Sequence, residues 1–184
     1  MGVIADSLDR ALRGTFTRPI PKTAPAQMRY LVKQLKTTKA VAHVLGVSQR
    51  TVERYVKGQI KRPRADLAAR MEREVTRRWQ PQVRARAKQA AATTGGIVID
   101  TRARFGFTAA PGSTDDARLR LITQALPPAY AARLFDAQDA GAGEQQLREI
   151  AAEGLQDICF RDRGRRAAGL QVEFTEIDYI DFDL

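Results

Sequence analysis

In the run Ser48-Gln49-Arg50-Thr51-Val52-Glu53-Arg54-Tyr55-Val56-Lys57, the side chains able to read a nucleobase recur at helical spacing. On a helix, Gln49, Arg50 and Arg54 fall on one side, with Glu53 and Lys57 on the same general side. A guanidinium can grip guanine through O6 and N7, and a carboxamide can pair with adenine. Lys39 and Thr51, and Lys61, Arg62 and Arg64 in the basic loop Gly58–Arg64, suit phosphate contacts that fix register without reading sequence. The chemistry offered is that of a DNA groove.

Such a face is useful only if a second element holds it. Three spacings within Thr38–Lys57 provide one. Ala42 is small where two helices cross. Four residues on, Gly46 can take the positive φ of a tight turn, which costs other residues more. Six beyond that, β-branched Val52 packs the second helix onto the first. Val41, Leu45, Val47 and Val56 complete a small apolar interior, and Ser48 is a natural N-cap. The pattern is a helix-turn-helix, whose second helix enters the major groove. The competing reading is a helical hairpin with a merely wet charged face. His43, on the first helix, reads as packing or as a phosphate contact.

Charge supports the groove reading. The 184 residues carry a formal net charge of +10. Residues 1–90 hold 21 Lys/Arg and 6 Asp/Glu, and residues 91–184 hold 10 and 15. A basic half suits a polyanion, whereas the acidic half needs another task. An Arg-rich surface from a GC-rich genome explains some of the count but not the asymmetry. The single Cys159 excludes an intrachain disulfide, fits a reducing cytosol and, between Ile158 and Phe160, reads as a small buried hydrophobe. One His and one Cys assemble neither a zinc site nor a Ser-His-Asp triad, so no metal is expected. No apolar run approaches the ~20 residues of a membrane span, and no signal peptide is visible, so a cytoplasmic protein is expected.

Along the chain, Ile4–Arg13 reads as a helix closed by Gly14, and Thr15–Ala24, with Pro19 and Pro21, as an extended linker. Pro25–Lys36 reads as a helix, as does the stretch from Pro63 to about Trp79 with Leu67, Met71 and Val75 inward. Trp79 suits a helix core better than stacking on a single-stranded base. Pro81–Ala92, rich in Ala, Arg and Gln, reads as a helix that suits an exposed basic arm as well as core. Thr93-Thr94-Gly95-Gly96 marks a shift to β-prone composition, giving domains 1–92 and 93–184. Beyond it, Ile97–Ile99 and Arg104–Thr108 read as strands and Pro111-Gly112 as a turn. Thr114–Leu126, with Asp115 and Asp116 in the first turn, reads as a helix N-capped by Thr114. Ala129–Asp139 and Gln145–Ile158 read as helices, Arg161–Arg166 as a solvated basic loop, and Leu170–Leu184 as a strand. Its Val172–Ile177 part is expected inside a sheet, with Tyr179–Leu184 open to a partner. The fold class is α+β: a mainly helical N-terminal domain and a small α+β C-terminal one.

With the helix-turn-helix, the RYVKGQIKRPRADLAARME continuation and the LQVEFTEIDYIDF ending, the chain resembles the telomere terminal proteins of Streptomyces linear chromosomes and plasmids, over essentially its whole length. The resemblance implies a protein that becomes covalently attached to 5′ DNA ends and primes the patching of a 3′ overhang. It implies Thr114 as the attachment hydroxyl; the carboxylates of Asp115 and Asp116 beside it could help position metal, although those of the polymerase would suffice. It also implies telomeric DNA, a telomere-associated protein and a DNA polymerase as partners. The polymerase would supply Mg²⁺, so the chain is the nucleophile rather than an enzyme, with no intrinsic cofactor. Ser113 is the nearest competing hydroxyl, with Tyr130, Tyr179, Thr93, Thr94 and Thr108 weaker. The rivals are a helix-turn-helix repressor with a dimerisation or effector domain, a plasmid replication or partition adaptor, and a self-labelling nucleotidyl transferase. A homodimer fits several of these.

Overall fold

The structure is a computed structural model and describes residues 2–108, 118–160 and 171–184. Contacts divide the chain into two units. Phe16–Pro81 forms one, and Met1–Thr15 with Gln82–Leu184 forms the other. The sequence division at 92/93 therefore differs from the division the contacts make. The composition shift at Thr93–Gly96 marks a passage from helix to sheet inside one unit. The basic N-terminal half and α+β C-terminal half are both present, but the first helix is packed with the second half.

The Phe16–Pro81 unit is all helical. It contains α2 (Ala24–Leu35), α3 (Thr38–Leu45), α4 (Gln49–Val56) and α5 (Ala65–Arg78). Their apolar stripes meet in one core of Met28, Leu31, Val41, Leu45, Val52, Leu67, Met71 and Val75, joined by Tyr55. Trp79 packs at the rim of that core, 4.8 Å from the Tyr30 ring, and its indole N–H donates to the Arg18 carbonyl. A structural role uses both its apolar body and its one donor.

The other unit joins helices to one face of a three-stranded antiparallel sheet. Its elements are α1 (Val3–Gly14), α6 (Pro81–Ala90), β1 (Ile97–Thr108), β2 (Arg118–Leu126), α7 (Pro128–Asp139), α8 (Glu144–Leu155) and β3 (Gln171–Asp183). Strand order is β2-β1-β3. Ile97, Ile99, Ala103 and Phe105 of β1 alternate inward onto Ile4, Leu8 and Leu12 of α1, Leu134 of α7 and Leu147, Ala151 and Leu155 of α8. Gly14 continues α1 and Thr15 caps it. The extended Ile97–Ile99 and Arg104–Thr108 segments join into one strand, because Asp100–Ala103 pair with both neighbours.

The expected helix over Thr114–Leu126 is corrected for its described part, since Arg118–Leu126 is a strand. The Arg-Leu-Arg-Leu alternation has a period of two, and Ile97–Phe105 offer an antiparallel partner along all of it. Acidic residues upstream imitate a helix start. Val172–Ile177 does pair within the chain, with Ala103–Phe107 of β1, and because β3 pairs only with β1 among the described residues it stands at a sheet edge. The outer edge of β3 is nevertheless answered by side chains. The buried Ser7 hydroxyl accepts from the Phe182 N–H (3.0 Å) and donates to the Asp181 carboxylate (2.8 Å). Buried Gln156 accepts from the Val172 N–H (2.8 Å). Register shifts at Arg102/Ala103 and Arg104/Phe105 add bulges, another way of blunting an edge.

Two smaller readings change. Cys159 is exposed, because it lies in the π-helical turn Gln156–Phe160 from which Gln156 is the residue turned inward. Helix α6 buries no residue outright, yet it is not a free arm. Arg84 pairs with Asp9 of α1 (3.2 Å) and Lys88 with Asp139 of α7 (2.6 Å). No helix among the described residues is long and apolar enough to cross a membrane.

Burial raises the Asp181 pKa, but hydrogen bonds from Ser7 and Arg10 and the Arg10 charge outweigh it, leaving the carboxyl below its ordinary value. A lowered carboxyl pKa stabilises the fold above the unfolded value near 4, and that contribution disappears as pH falls through the folded value. Ser7→Ala should cost about 1–3 kcal/mol in urea unfolding, because it orphans a buried N–H. It should also raise the Asp181 pKa toward normal, which carboxyl NMR titration reads directly.

Candidate nucleic-acid interface

Helix α3 begins on Thr37, whose hydroxyl accepts from the Ala40 N–H at 3.0 Å. It ends at Gly46, with φ 61° and ψ 41°. The Val47 N–H reaches back to the Ala42 carbonyl (3.0 Å) and the Gly46 N–H to that of His43 (3.2 Å), closing the last turn. Ser48 starts α4, its hydroxyl accepting from the Thr51 N–H at 3.2 Å. The residues that the spacing singled out meet. Val41, Ala42, Leu45 and Val52 are buried, and Val47 and Val56 pack beside them. A Cβ on Gly46 would come to 3.0 Å from Nη1 of Arg70, and Arg70 is itself held by Asp66.

With Val52 and Tyr55 facing the core, the opposite side of α4 carries Gln49, Arg50, Arg54 and Lys57, all exposed. Lys39 is exposed on α3. Beyond Gly58 (φ 73°), Lys61, Arg62 and Arg64 are exposed on an extended segment, while Ile60 between them and α4 packs against the core. None of these seven cations makes an ion pair among the described residues, whereas Arg70, Arg77 and Arg78 of α5 are all paired. Unneutralised cations on one helix and its following loop leave charge available to an anionic partner. The Phe16–Pro81 unit holds 16 Lys/Arg against 4 Asp/Glu. Thr51 is half-buried and its hydroxyl shares a hydrogen bond with that of Ser48 (2.9 Å), which ties it to the cap. His43 is exposed, so it does not serve packing.

One core residue was overlooked in the sequence, and one contact of a residue already placed on the outer face. Tyr55 is a core residue; its position three after Val52 carries that signal. Burial raises its pKa and the Arg54 charge opposes the rise. Glu53 holds Gln49 through a side-chain hydrogen bond of 3.0 Å, a contact implied by their i, i+4 spacing.

Thr114, Asp115 and Asp116 lie outside the described residues, as do Ser113 and the Arg161–Arg166 loop. Of the other hydroxyls, those of Thr93 and Thr94 donate to the Gln89 and Ala90 carbonyls (2.8 and 3.2 Å). Tyr130 is buried, with its hydroxyl donating to Asp157; burial, then that bond, push its pKa far above normal, which makes it a poor nucleophile. Tyr179 is exposed, and its hydroxyl donates to Asp100 at 3.3 Å. Among the described residues no group of three His, Cys, Asp or Glu side chains is placed to hold a metal ion.

In comparisons with known proteins, no family model matches the chain, and no curated protein or solved structure matches it.

Gly46→Ala should destabilise the protein by about 1–2 kcal/mol, since a side chain there meets both a left-handed backbone and the Arg70 guanidinium. Thermal unfolding checks this, with Gly14→Ala, a helical position with open space around it, as the comparison that should not lose stability.

Proposed function

We propose that this chain binds duplex DNA by laying α4 in the major groove, and that it serves as a terminal protein of a linear replicon. The observation that carries the DNA reading is the exposed set Arg50, Arg54 and Lys57, without an ion pair among the described residues, on a helix fixed by the Ala42–Gly46–Val52 corner. A fixed helix is what groove reading needs, because bidentate contacts to base edges tolerate little play. Lys39, Lys61, Arg62 and Arg64 then meet phosphates on either side, and Thr51 supports them.

The terminal-protein role rests on the resemblance of the helix-turn-helix, its continuation and the C-terminal ending. In that role Thr114 supplies the priming hydroxyl. Its Oγ attacks the α-phosphorus of a deoxynucleoside triphosphate held by a partner polymerase. A phosphorus–oxygen bond forms to Thr114, the bond to the bridging oxygen breaks, pyrophosphate leaves and the hydroxyl proton passes to the polymerase site. The polymerase brings the Mg²⁺ ions that stabilise attacker and leaving group. Asp115 and Asp116 flank the nucleophile, and a telomere-associated protein recruits the chain to the overhang. The chain acts in the cytoplasm, at the nucleoid, and is not itself an enzyme.

Two measurements test the two parts. Arg50→Ala and Arg54→Ala should each weaken duplex binding by about 1–3 kcal/mol, and loss of a phosphate cation should lower the salt slope by about 0.9. Parent-like binding by both Arg variants across salt concentrations sinks the groove reading. Incubation with polymerase, overhang DNA and labelled deoxynucleotide should leave label on the protein after boiling in detergent, and Thr114→Ala should remove it. Label retained in Thr114→Ala rejects that residue, label without polymerase indicates a self-acting transferase, and operator binding with no label indicates a repressor.

A further inference from the structure

Glu53 is the only carboxylate in α4, and it shares a side of the helix with Arg50, Arg54 and Lys57. Lys57 stands four residues C-terminal to it, the favoured spacing and order for a Glu–Lys pair. Yet Glu53 makes no ion pair with any of the three. Its Oε1 instead accepts from Nε2 of Gln49 at 3.0 Å. An anion on a phosphate-facing helix weakens every non-specific contact, so it needs a donor on the DNA to offset the repulsion. In the major groove those donors are the exocyclic amines of cytosine and adenine.

We infer that Glu53 is a specificity-determining residue: it holds the Gln49 carboxamide ready for adenine and offers its second oxygen to the N4 amine of cytosine. The inference rests on the major-groove reading above. The Glu53 bond uses one of the two N–H donors of Gln49 and fixes which end of the amide is which. The other N–H and the carbonyl remain, the pair that matches adenine N7 and N6. Oε2 of Glu53 remains as an acceptor. Four residues of helix rise ~6 Å, against ~3.4 Å per base step, so the two heads address base pairs one or two steps apart. A carboxylate there also acts by exclusion. Guanine and thymine present acceptors in place of the cytosine amine, and two facing acceptors repel.

The test is selection from a randomised duplex pool by the full chain, comparing the parent with Glu53→Gln and Gln49→Ala. The parent should enrich a motif containing one cytosine position near one adenine position. Glu53→Gln should lose preference at the cytosine by about 5- to 100-fold while keeping the guanines read by Arg50 and Arg54. It should also bind an unrelated duplex two- to five-fold more tightly at low salt, because one negative charge has gone. Gln49→Ala should relax the adenine position alone. An unchanged cytosine preference in Glu53→Gln overturns the inference and leaves the groove reading standing. A parent that binds duplex without enriching any motif overturns the inference and reduces the site to backbone binding. A parent that does not bind duplex overturns both.

Discussion

The reversal of the chain at Gly46 is the constraint on which the helical unit depends. Helices of eight residues, such as α3 and α4, do not persist alone in water. They persist here because a left-handed residue sends the chain back at once, bringing Val52 and Tyr55 into one core with Val41 and Leu45 and with the apolar stripes of α2 and α5. The same reversal decides which side of α4 is left over. Once Val52 and Tyr55 are committed inward, Gln49, Arg50, Glu53, Arg54 and Lys57 have nowhere to face but outward. The charged side is thus a consequence of the corner, and the corner's caps, Thr37 and Ser48, spend hydroxyls on backbone donors that short helices would otherwise leave unmet.

The sheet unit solves a different problem. Three strands with helices on one face leave two edges and one open face. Along β3 the edge is answered by Ser7 and Gln156 and by bulges, and the open face is stitched by charge, Arg102 to Asp178 at 3.2 Å and Arg104 to Glu176 at 3.1 Å. Glu176 and Asp178 of the C-terminal strand are therefore counterions of β1, and Asp181 is that of Arg10 in α1. This gives the negative half of the sequence a structural task and leaves the positive surplus concentrated in Phe16–Pro81.

The helical unit was almost fully legible in the sequence because each of its signals is local. Ala42, Gly46 and Val52 lie within eleven residues, Ser48 caps the helix beside it, and the inward residues of α5 recur at helical spacing. The sheet unit was less legible because its determinants are distant. Ile4, Leu8 and Leu12 declare an apolar face but not that its partner is a strand more than 160 residues away. Ile97–Ile99 and Arg104–Thr108 read as two strands since Asp100 and Arg102 interrupt the apolar pattern; cross-strand partners supply what the local sequence lacks. In β2 the Asp115-Asp116 pair outweighed a four-residue alternation. For the interface, residue types and helical phase identified Gln49, Arg50, Arg54 and Lys57. Whether Glu53 would pair with Lys57, with an arginine or with Gln49 is a choice among rotamers that no spacing rule settles.

The order of elements along the chain has a consequence for synthesis. Every residue of the helical core and its rim lies between Ile20 and Trp79, so its contacts are complete once that stretch has left the ribosome. Helix α1 is made long before the strand it docks on: its Ser7 waits for Phe182, 175 residues further along the chain. Until β3 has been made, the apolar stripe of α1 lacks part of its seat, so the whole helical unit is synthesised between α1 and the strand that completes its packing.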